Sequence, residues 1–300
     1  MSQNVPHRDE AVVKANGIEL VYDTFGEASA PPMLLIMGLG QPLNAWDEEF
    51  CAAIAAQGYW VIRFDNRDVG LSTKFDTAGV PNLPALMRAA AQGQAAQGPY
   101  TMRDMAEDAL GLLDALGIES AHVVGVSLGG AIAQEMAIHY PDRVRTLTSI
   151  MSTTGAPDLP PPTPKATAIL LTPAPMDREG YIENSVQTWH VLNGPAYPLD
   201  EDLARARAER VFDRGLSPEG TARQLAAIVT SGSRREALKS VDVPTLVIHG
   251  DADPLVPVEA GIDTAEAIPG AELMIIEGMG HSMPAAVASR IVGALARHAV

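Results

Sequence analysis

Apolar residues along this chain fall into two patterns, short continuous runs and longer stretches with helical spacing. A continuous apolar run of five to eight residues is typical of a strand that is buried on both faces of a parallel sheet. Because such runs alternate with helical patterns, the chain predicts an α/β fold whose mostly parallel sheet carries helices on both faces. The predicted strands lie at 33–37, 59–64, 121–126, 144–151, 244–249 and 272–276, and the helices at 44–57, 101–116, 128–140, 258–267 and 284–298.

The first residues follow a different pattern. Asn16-Gly17 separates two β-branched stretches, at 12–14 and 18–25. This dipeptide between alternating apolar residues predicts an antiparallel hairpin. Residues 77–99 have no regular pattern, although an Ala- and Gln-rich part of them is compatible with a short helix.

The pattern changes again after residue 152. Five prolines lie within 155–164, too many for a helix or a central strand, so 156–164 is predicted to be a stiff hinge. No strand-like run follows until residue 244, and helical patterns occupy 178–192, 200–213 and 218–230. We therefore predict a core formed by 1–153 and 236–300 and a helical cap, or lid, at 154–235. Such an insertion is expected to cover the carboxyl ends of the strands, where open α/β sheets bind ligands.

Composition narrows the class of protein. The 300 residues are 47% hydrophobic, which is ample for a large core, and the net charge of −16 argues against nucleic acid or an anionic membrane as a partner. The single cysteine, Cys51, excludes an intramolecular disulfide and is consistent with a reducing compartment. No apolar stretch approaches the ~18 residues of a membrane span. We expect a cytoplasmic protein, and the sequence leaves a homo-oligomer open.

Candidate chemistry begins at Gly125-Val126-Ser127-Leu128-Gly129, where an apolar run meets a helical pattern. In that context Gly-x-Ser-x-Gly predicts a nucleophile elbow, a sharp strand-to-helix turn that exposes the serine at the N-terminus of the helix. The two glycines have no Cβ atoms to obstruct the crossing of strand and helix. The alternative is a glycine-rich turn with an incidental serine, and the flanking strand and helix favour the catalytic interpretation.

A serine nucleophile needs an imidazole base and a carboxylate that orients it, on later loops and in the order serine, acid, histidine. Of seven histidines, His281 directly follows the last predicted strand, within glycines, and is the predicted base. His190 and His249 are more consistent with structural roles.

The acid is expected after the preceding strand, in Gly250-Asp251-Ala252-Asp253-Pro254. We favour Asp253, whose loop the proline stiffens, over Asp251, which is expected to bond its own loop backbone. Asp158, in the proline-rich stretch, is a weaker third candidate. The oxyanion hole requires two backbone amides, which we assign to Leu39 in Gly38-Leu39-Gly40 and to Leu128, the residue after the serine.

Four segments together resemble the α/β-hydrolase superfamily over essentially the whole chain. The Met37 position, where many members have His-Gly, followed by Trp46 and Phe50, is similar to bacterial esterases related to aclacinomycin methylesterase. A serine at the elbow argues against haloalkane dehalogenases and epoxide hydrolases, which use aspartate there. The matching segments are 37–40, 65–72, 125–130 and 251–257 with Gly280-His281.

The resemblance implies an eight-stranded sheet with an antiparallel second strand and a helical cap after the sixth. It also implies a catalytic triad of Ser127, Asp253 and His281, with the amides of Leu39 and Leu128 as the oxyanion hole. Our hypothesis is a carboxylesterase that uses a serine nucleophile, forms an acyl-enzyme and needs no cofactor or metal. The polar loop 65–72 lacks the alternating acids and distal glutamate of a calcium loop.

Other reactions use the same triad, namely those of a thioesterase, a proline iminopeptidase or a hydrolase of carbon–carbon bonds, and a non-catalytic receptor could retain the pocket. The residues of the cap are expected to determine which of these functions the protein has. Its apolar residues could line an acyl pocket or pack within the cap, and an acidic pair would hold the amino terminus of a peptide. The residues concerned are Met176, Trp189, Phe212, Glu183, Glu201 and Asp202.

Overall fold

A computed structural model describes residues 5–299, and a single eight-stranded sheet organises them. The strand order is β1-β2-β4-β3-β5-β6-β7-β8. Strand β2 pairs antiparallel with both neighbours, and β3 to β8 are parallel to one another, so the predicted mostly parallel sheet with an antiparallel second strand is confirmed. The strands are β1 His7–Ala15, β2 Ile18–Phe25, β3 Pro32–Ile36, β4 Trp60–Phe64, β5 Ala121–Val126, β6 Val144–Ile150, β7 Thr245–Gly250 and β8 Glu272–Ile276.

Helices cover both faces of the sheet, as predicted. Successive side chains of a strand point to opposite faces, so Leu34 and Ile36 of β3 pack in one core with α3 and α4, whereas Met33 and Leu35 pack in a second core with α1 and α11. The helices are α1 Glu48–Ala55, α2 Leu83–Ala91, α3 Met102–Ala115, α4 Leu128–His139, α5 Pro164–Leu171, α6 Arg178–Leu192, α7 Glu201–Arg214, α8 Pro218–Thr230, α9 Arg235–Leu238, α10 Val258–Ala267 and α11 Ala285–His298.

The first helix is shorter than the helix predicted at 44–57. A 3-10 turn at Leu43–Ala45 comes first, and Trp46 is extended before α1 begins. The cause is a long-range contact, because the buried guanidinium of Arg63 donates a hydrogen bond to the carbonyl oxygen of Trp46. That carbonyl is therefore held outside the helix.

Two further helices lie where the sequence pattern was weak. Helix α2 occupies part of the irregular region 77–99, and the side chain of Asn82 caps its N-terminus at the amide of Ala85. Helix α5 begins inside the proline-rich stretch because Pro164 stands in the first turn, where the missing N–H costs nothing, and Thr163 caps it.

Helices α5 to α8, which we call the cap, all lie between β6 and β7 in the chain. Residues 151–163 before them contain no helix or strand. The division into a core at 1–153 and 236–300 and a cap at 154–235 stays a prediction.

Candidate active site

Ser127 lies at the apex of a sharp turn between β5 and α4. Its φ of +54° is in the left-handed region that residues with a side chain rarely adopt, a strained conformation typical of functional sites. A Cβ atom on Gly125 would lie 2.0 Å from the carbonyl oxygen of Gly129, and one on Gly129 would lie 2.0 Å from that of Ile36. Both glycines are therefore required for the strand and helix to cross at this serine.

His281 and Asp253 lie next to Ser127 in a continuous chain of polar contacts. The Nε2 atom of His281 is 3.0 Å from Oγ of Ser127, and its Nδ1 atom is 2.7 Å from Oδ2 of Asp253. The other carboxylate oxygen of Asp253 accepts hydrogen bonds of 2.8 Å from the amides of Leu255 and Val256. Asp253 is thus fixed by its own loop, and it fixes the imidazole in turn.

This arrangement sets the tautomer of His281. An ionised carboxylate only accepts hydrogen bonds, so Nδ1 of His281 carries the proton toward Asp253 and Nε2 is left to accept one. The atom within reach of Nε2 is the hydroxyl of Ser127. The geometry is the one in which an imidazole can remove a proton from a serine hydroxyl.

The competing acids have other contacts. Oδ1 of Asp251 accepts a 2.6 Å hydrogen bond from the amide of Gly278, which follows β8. Asp251 therefore braces the neighbouring loop that carries His281, and the expectation that it bonds its own loop is wrong in this respect. Asp158 is exposed and pairs with Arg235 at 2.8 Å.

The competing histidines also have structural contacts. Nε2 of the fully buried His249 lies 2.8 Å from the carbonyl oxygen of Val256, and burial lowers the pKa of this imidazole. His190 is exposed on α6 and lies 2.8 Å from Glu201. Neither side chain contacts Ser127.

Leu39 and Leu128, the two predicted oxyanion donors, line the same cavity as Ser127. A Cβ atom on Gly38 would lie 3.3 Å from Cβ of Ser127, so the loop after β3 passes close to it. Within residues 5–299 the amides of Leu39 and Leu128 donate no hydrogen bond to a protein group. Leu128 is also the first residue of α4, whose N-terminus carries the positive end of the helix dipole. Both amides are free to bind an anion.

A cavity of about 1260 Å³ opens at Ser127 and His281, with the cap contributing much of its wall. Among the cap residues that the sequence singled out, Trp189 lines it, whereas Met176 is exposed to solvent and Phe212 packs against Tyr181. The three acidic candidates, Glu183, Glu201 and Asp202, are not among its lining residues.

The sequence interpretation missed a buried contact between the core and the cap. The carboxylate of Asp68, in the loop after β4, accepts hydrogen bonds of 2.9 and 2.8 Å from the guanidinium of Arg223 on α8, and both side chains are fully buried. Asp65 pairs with Arg214 of α7, whose Nε atom donates hydrogen bonds of 3.1 and 2.9 Å to its two carboxylate oxygens. We call Asp65, Asp68, Arg214 and Arg223 the cap contact. The signal available was the unusually polar loop 65–72 directly after a buried strand.

The charge of Asp68 is strongly stabilised in this contact. Burial by itself raises the pKa of Asp68, but hydrogen bonds from Arg223, the Phe75 amide and the Tyr100 hydroxyl outweigh it and hold the pKa below its ordinary value. Asp68 is therefore charged at neutral pH, and it binds Arg223 of the cap as a carboxylate.

The cap also contacts the loop that carries the candidate base. The amide of His281 donates a 2.8 Å hydrogen bond to the carbonyl oxygen of Leu192 at the end of α6. The hydroxyl of Ser282 donates to Oδ1 of Asn193 at 2.6 Å. The position of His281 therefore depends on the cap as well as on Asp253.

Two other properties bear on the function. In the part of the chain that the structure describes, no helix is long and apolar enough to cross a membrane. Among the same residues, no group of three or more His, Cys, Asp or Glu side chains is arranged to hold a metal ion.

Comparison with known proteins places this geometry in a family. The family model of the α/β-hydrolase fold matches residues 31–284. Rhodomycin D methylesterase from Streptomyces sp. strain C5 is 31% identical over 97% of this chain and 96% of its own length. The corresponding enzyme of Streptomyces peucetius is 31% identical over 94% of this chain and 95% of its own.

Solved structures have the same fold. The enol-lactonase from Burkholderia xenovorans LB400 superposes with a TM-score of 0.72 at 25% identity, covering 96% of this chain and 99% of the lactonase. An esterase from Rhodococcus sp. ECU1013 gives a TM-score of 0.73 at 22% identity, covering 100% and 98%. The chain belongs to the α/β-hydrolase fold family.

Proposed function

We propose that this protein is a serine hydrolase of carboxylic esters, with Ser127 as nucleophile, His281 as general base and acid, and Asp253 as the residue that orients His281. The observation that carries the proposal is the chain of contacts of 3.0 Å and 2.7 Å from Ser127 through His281 to Asp253. The full-length similarity to two methylesterases supports an ester as the substrate.

The reaction has two halves. In the first, His281 accepts the proton of the Ser127 hydroxyl while Oγ bonds to the ester carbonyl carbon, and the amides of Leu39 and Leu128 stabilise the oxyanion. The intermediate then expels the alcohol, whose oxygen takes the proton from His281, and leaves an acyl-enzyme. In the second half, water attacks the acyl carbon, His281 relays its proton to Ser127, and the carboxylic acid is released.

The cavity supports a bulky acyl group. At about 1260 Å³ it exceeds the ~300–1,000 Å³ that is ordinary for a pocket holding a small ligand. Apolar side chains such as Trp189 and Leu225 line it. Since both methylesterase relatives are named for a methyl ester, we propose methyl esters of large, largely apolar acids as the substrate class.

The remaining reactions with this triad have less support. A proline iminopeptidase needs acidic side chains in the cavity for the substrate amino group. The predicted candidates Glu183, Glu201 and Asp202 do not line it, and the acidic residues that do are Asp47, Glu48, Glu49 and Glu219. An ester is favoured over a peptide because both full-length relatives are methylesterases. Free donors at Leu39 and Leu128 beside a hydrogen-bonded Ser127 disfavour a non-catalytic receptor.

We also propose a cytoplasmic location, which the single cysteine, Cys51, supports.

The proposal is tested by the hydrolysis of p-nitrophenyl esters and of aromatic methyl esters of increasing size. In Ser127→Ala, kcat should fall at least about 10⁴-fold, as it does in other enzymes when a triad member is removed. The circular dichroism spectrum and Tm of the variant should stay those of the folded protein. Ser120→Ala is the matched control, since Ser120 lies just before the opposite end of β5. Undiminished turnover by Ser127→Ala would refute the assignment.

A further inference from the structure

Gln224 lies on α8 of the cap and is fully buried, yet both ends of its amide are hydrogen-bonded to backbone groups of the core. Its Oε1 atom accepts a 2.8 Å hydrogen bond from the amide of Gly40. Its Nε2 atom donates a 2.9 Å hydrogen bond to the carbonyl oxygen of Arg67. One cap side chain therefore ties the loop after β3 to the loop after β4.

The first of these loops contains a candidate oxyanion donor. The amide of Gly40 is the next peptide N–H after that of Leu39, so holding Gly40 also restricts the orientation of the Leu39 amide. On the core side, the side chain of Asn66 donates a 3.1 Å hydrogen bond to the carbonyl oxygen of Met37. The loop is thus held before Leu39 by the core and after Leu39 by the cap.

The packing of α8 leaves little room for this loop to move. Gly40 has a positive φ of 63°, and a Cβ atom there would lie 2.6 Å from Oγ1 of Thr221, one turn before Gln224. A Cβ atom on Gly220 would lie 2.4 Å from the carbonyl oxygen of Asp68. The loop after β3 therefore packs against the side chain of Thr221, and the backbone of Gly220 packs against that of Asp68, close to the two hydrogen bonds of Gln224.

We propose that Gln224 is a positioning residue of the oxyanion hole, through which the seating of the cap sets the direction of the Leu39 amide. The inference rests on the proposed ester hydrolysis. In this role the cap positions a catalytic group in addition to lining the substrate cavity. A glutamine has the required length and carries both an acceptor for Gly40 and a donor for Arg67.

The reason for such a bridge is geometric. An oxyanion donor contributes only if it points at the oxygen that becomes charged, and a displacement of about 1 Å in an active site can cost about 10²-fold in rate. A glycine-flanked loop has many backbone conformations, and a bridge from a rigid helix selects one of them.

Gln224→Met tests the proposal, because methionine matches glutamine in length and removes both hydrogen bonds. We expect kcat for p-nitrophenyl esters to fall about 10- to 100-fold with KM changed by less than about threefold, a fraction of the ~10²–10³ that a lost oxyanion donor costs. Affinity for a boronic acid, which binds Ser127 as a tetrahedral anion, should fall by a similar factor. Gln224→Glu keeps the acceptor for Gly40, and its kcat should exceed that of Gln224→Met.

Gln134→Met is the matched control. Gln134 is also a fully buried glutamine, but it bonds Ser149 and Arg234 and does not contact the loop at Leu39. It should lose stability without the loss in kcat and boronic acid affinity. The inference is overturned if Gln224→Met keeps kcat within twofold, if its loss lies in KM alone, or if Gln224→Glu is no faster. If the wild-type protein neither hydrolyses esters nor binds the boronic acid, the proposed function itself has failed.

Discussion

The candidate triad and the cap contact are both buried, polar and built from residues distant in sequence, but they differ in what holds them. Ser127 follows β5 at a turn that the elbow glycines permit, and two backbone amides of its own loop fix Asp253 after β7. His281, after β8, is held by Asp253 and by the carbonyl oxygen of Leu192 on the cap. The cap contact is held by charged side chains that meet only after the cap has folded onto the core, as Asp68 meets Arg223.

The two regions are therefore expected to affect different properties, the rate of turnover for the triad and the free energy of unfolding for the cap contact. A triad member has few stabilising contacts beyond its neighbours, so its removal should abolish turnover and leave the fold intact. A buried arginine–aspartate pair takes no direct part in the bond-breaking step, but breaking it leaves an uncompensated charge in the interior.

Removing the charge of Asp253 should have the largest effect on activity. In Asp253→Asn an amide replaces the carboxylate that faces Nδ1 of His281, which favours the wrong imidazole tautomer. We expect kcat to fall about 10⁴-fold with Tm nearly unchanged, measured by ester hydrolysis and thermal unfolding. Asp251→Asn is the matched control and should cost less than about tenfold. Equal losses in the two variants would contradict our choice of acid.

Breaking the cap contact should have the largest effect on stability. Arg223→Met leaves the buried carboxylate of Asp68 without its bidentate partner, and we expect the free energy of unfolding to fall by about 3–5 kcal/mol in urea titrations. The matched control is Arg178→Met, which breaks an exposed pair with Asp213 at 3.2 Å and should leave the free energy of unfolding nearly unchanged. If both variants lose similar amounts of unfolding free energy, burial of the Asp68–Arg223 pair does not determine its contribution to stability.

Narrowing the cavity should change the choice of substrate with little effect on the chemistry. Leu225 is the neighbour of Gln224 on α8, is nearly buried and lines the cavity. In Leu225→Trp we expect kcat/KM for the largest aromatic methyl esters to fall about tenfold or more, and that for p-nitrophenyl acetate to change less than about threefold. A uniform loss over the ester series would instead indicate a displaced catalytic group.

The smallest effect concerns acid stability and lies away from both regions. Burial lowers the pKa of His122 on β5 from 6.5 to about 4. A depressed pKa means that the unfolded chain binds a proton first, so the contribution is complete above pH 6.5 and is lost as the pH falls toward 4. Between pH 7.5 and 5 this residue should therefore reduce the free energy of unfolding. His122→Gln should show a smaller decrease in urea titrations, and an identical decrease would contradict this interpretation.

The sheet, the helices on its two faces and the geometry around Ser127 could be predicted because each has a local cause. Apolar runs specify buried strands, and the elbow glycines are required wherever a strand and a helix cross this closely. Helix α5 and the shortened α1 escaped prediction because a proline can start a helix and because Arg63 captures the carbonyl of Trp46.

The cap contact and Gln224 escaped prediction for a different reason. Arg223 and Gln224 stand in an ordinary helical pattern, and nothing within α8 distinguishes them from solvent-exposed residues. Their partners lie in the polar loop after β4 and among the glycines after β3. These contacts are between residues distant in sequence, so only the three-dimensional structure identifies them.

If Ser127 is an activated nucleophile, a reagent that bonds covalently to such serines should modify it. Incubation with a fluorophosphonate, followed by peptide mass spectrometry, should place one phosphonate per chain on the peptide that contains Ser127. The rate of labelling should fall by at least about 10²-fold in His281→Ala, since the hydroxyl then has no base. Absence of the label, its attachment to another serine, or an unchanged rate in His281→Ala would contradict the account.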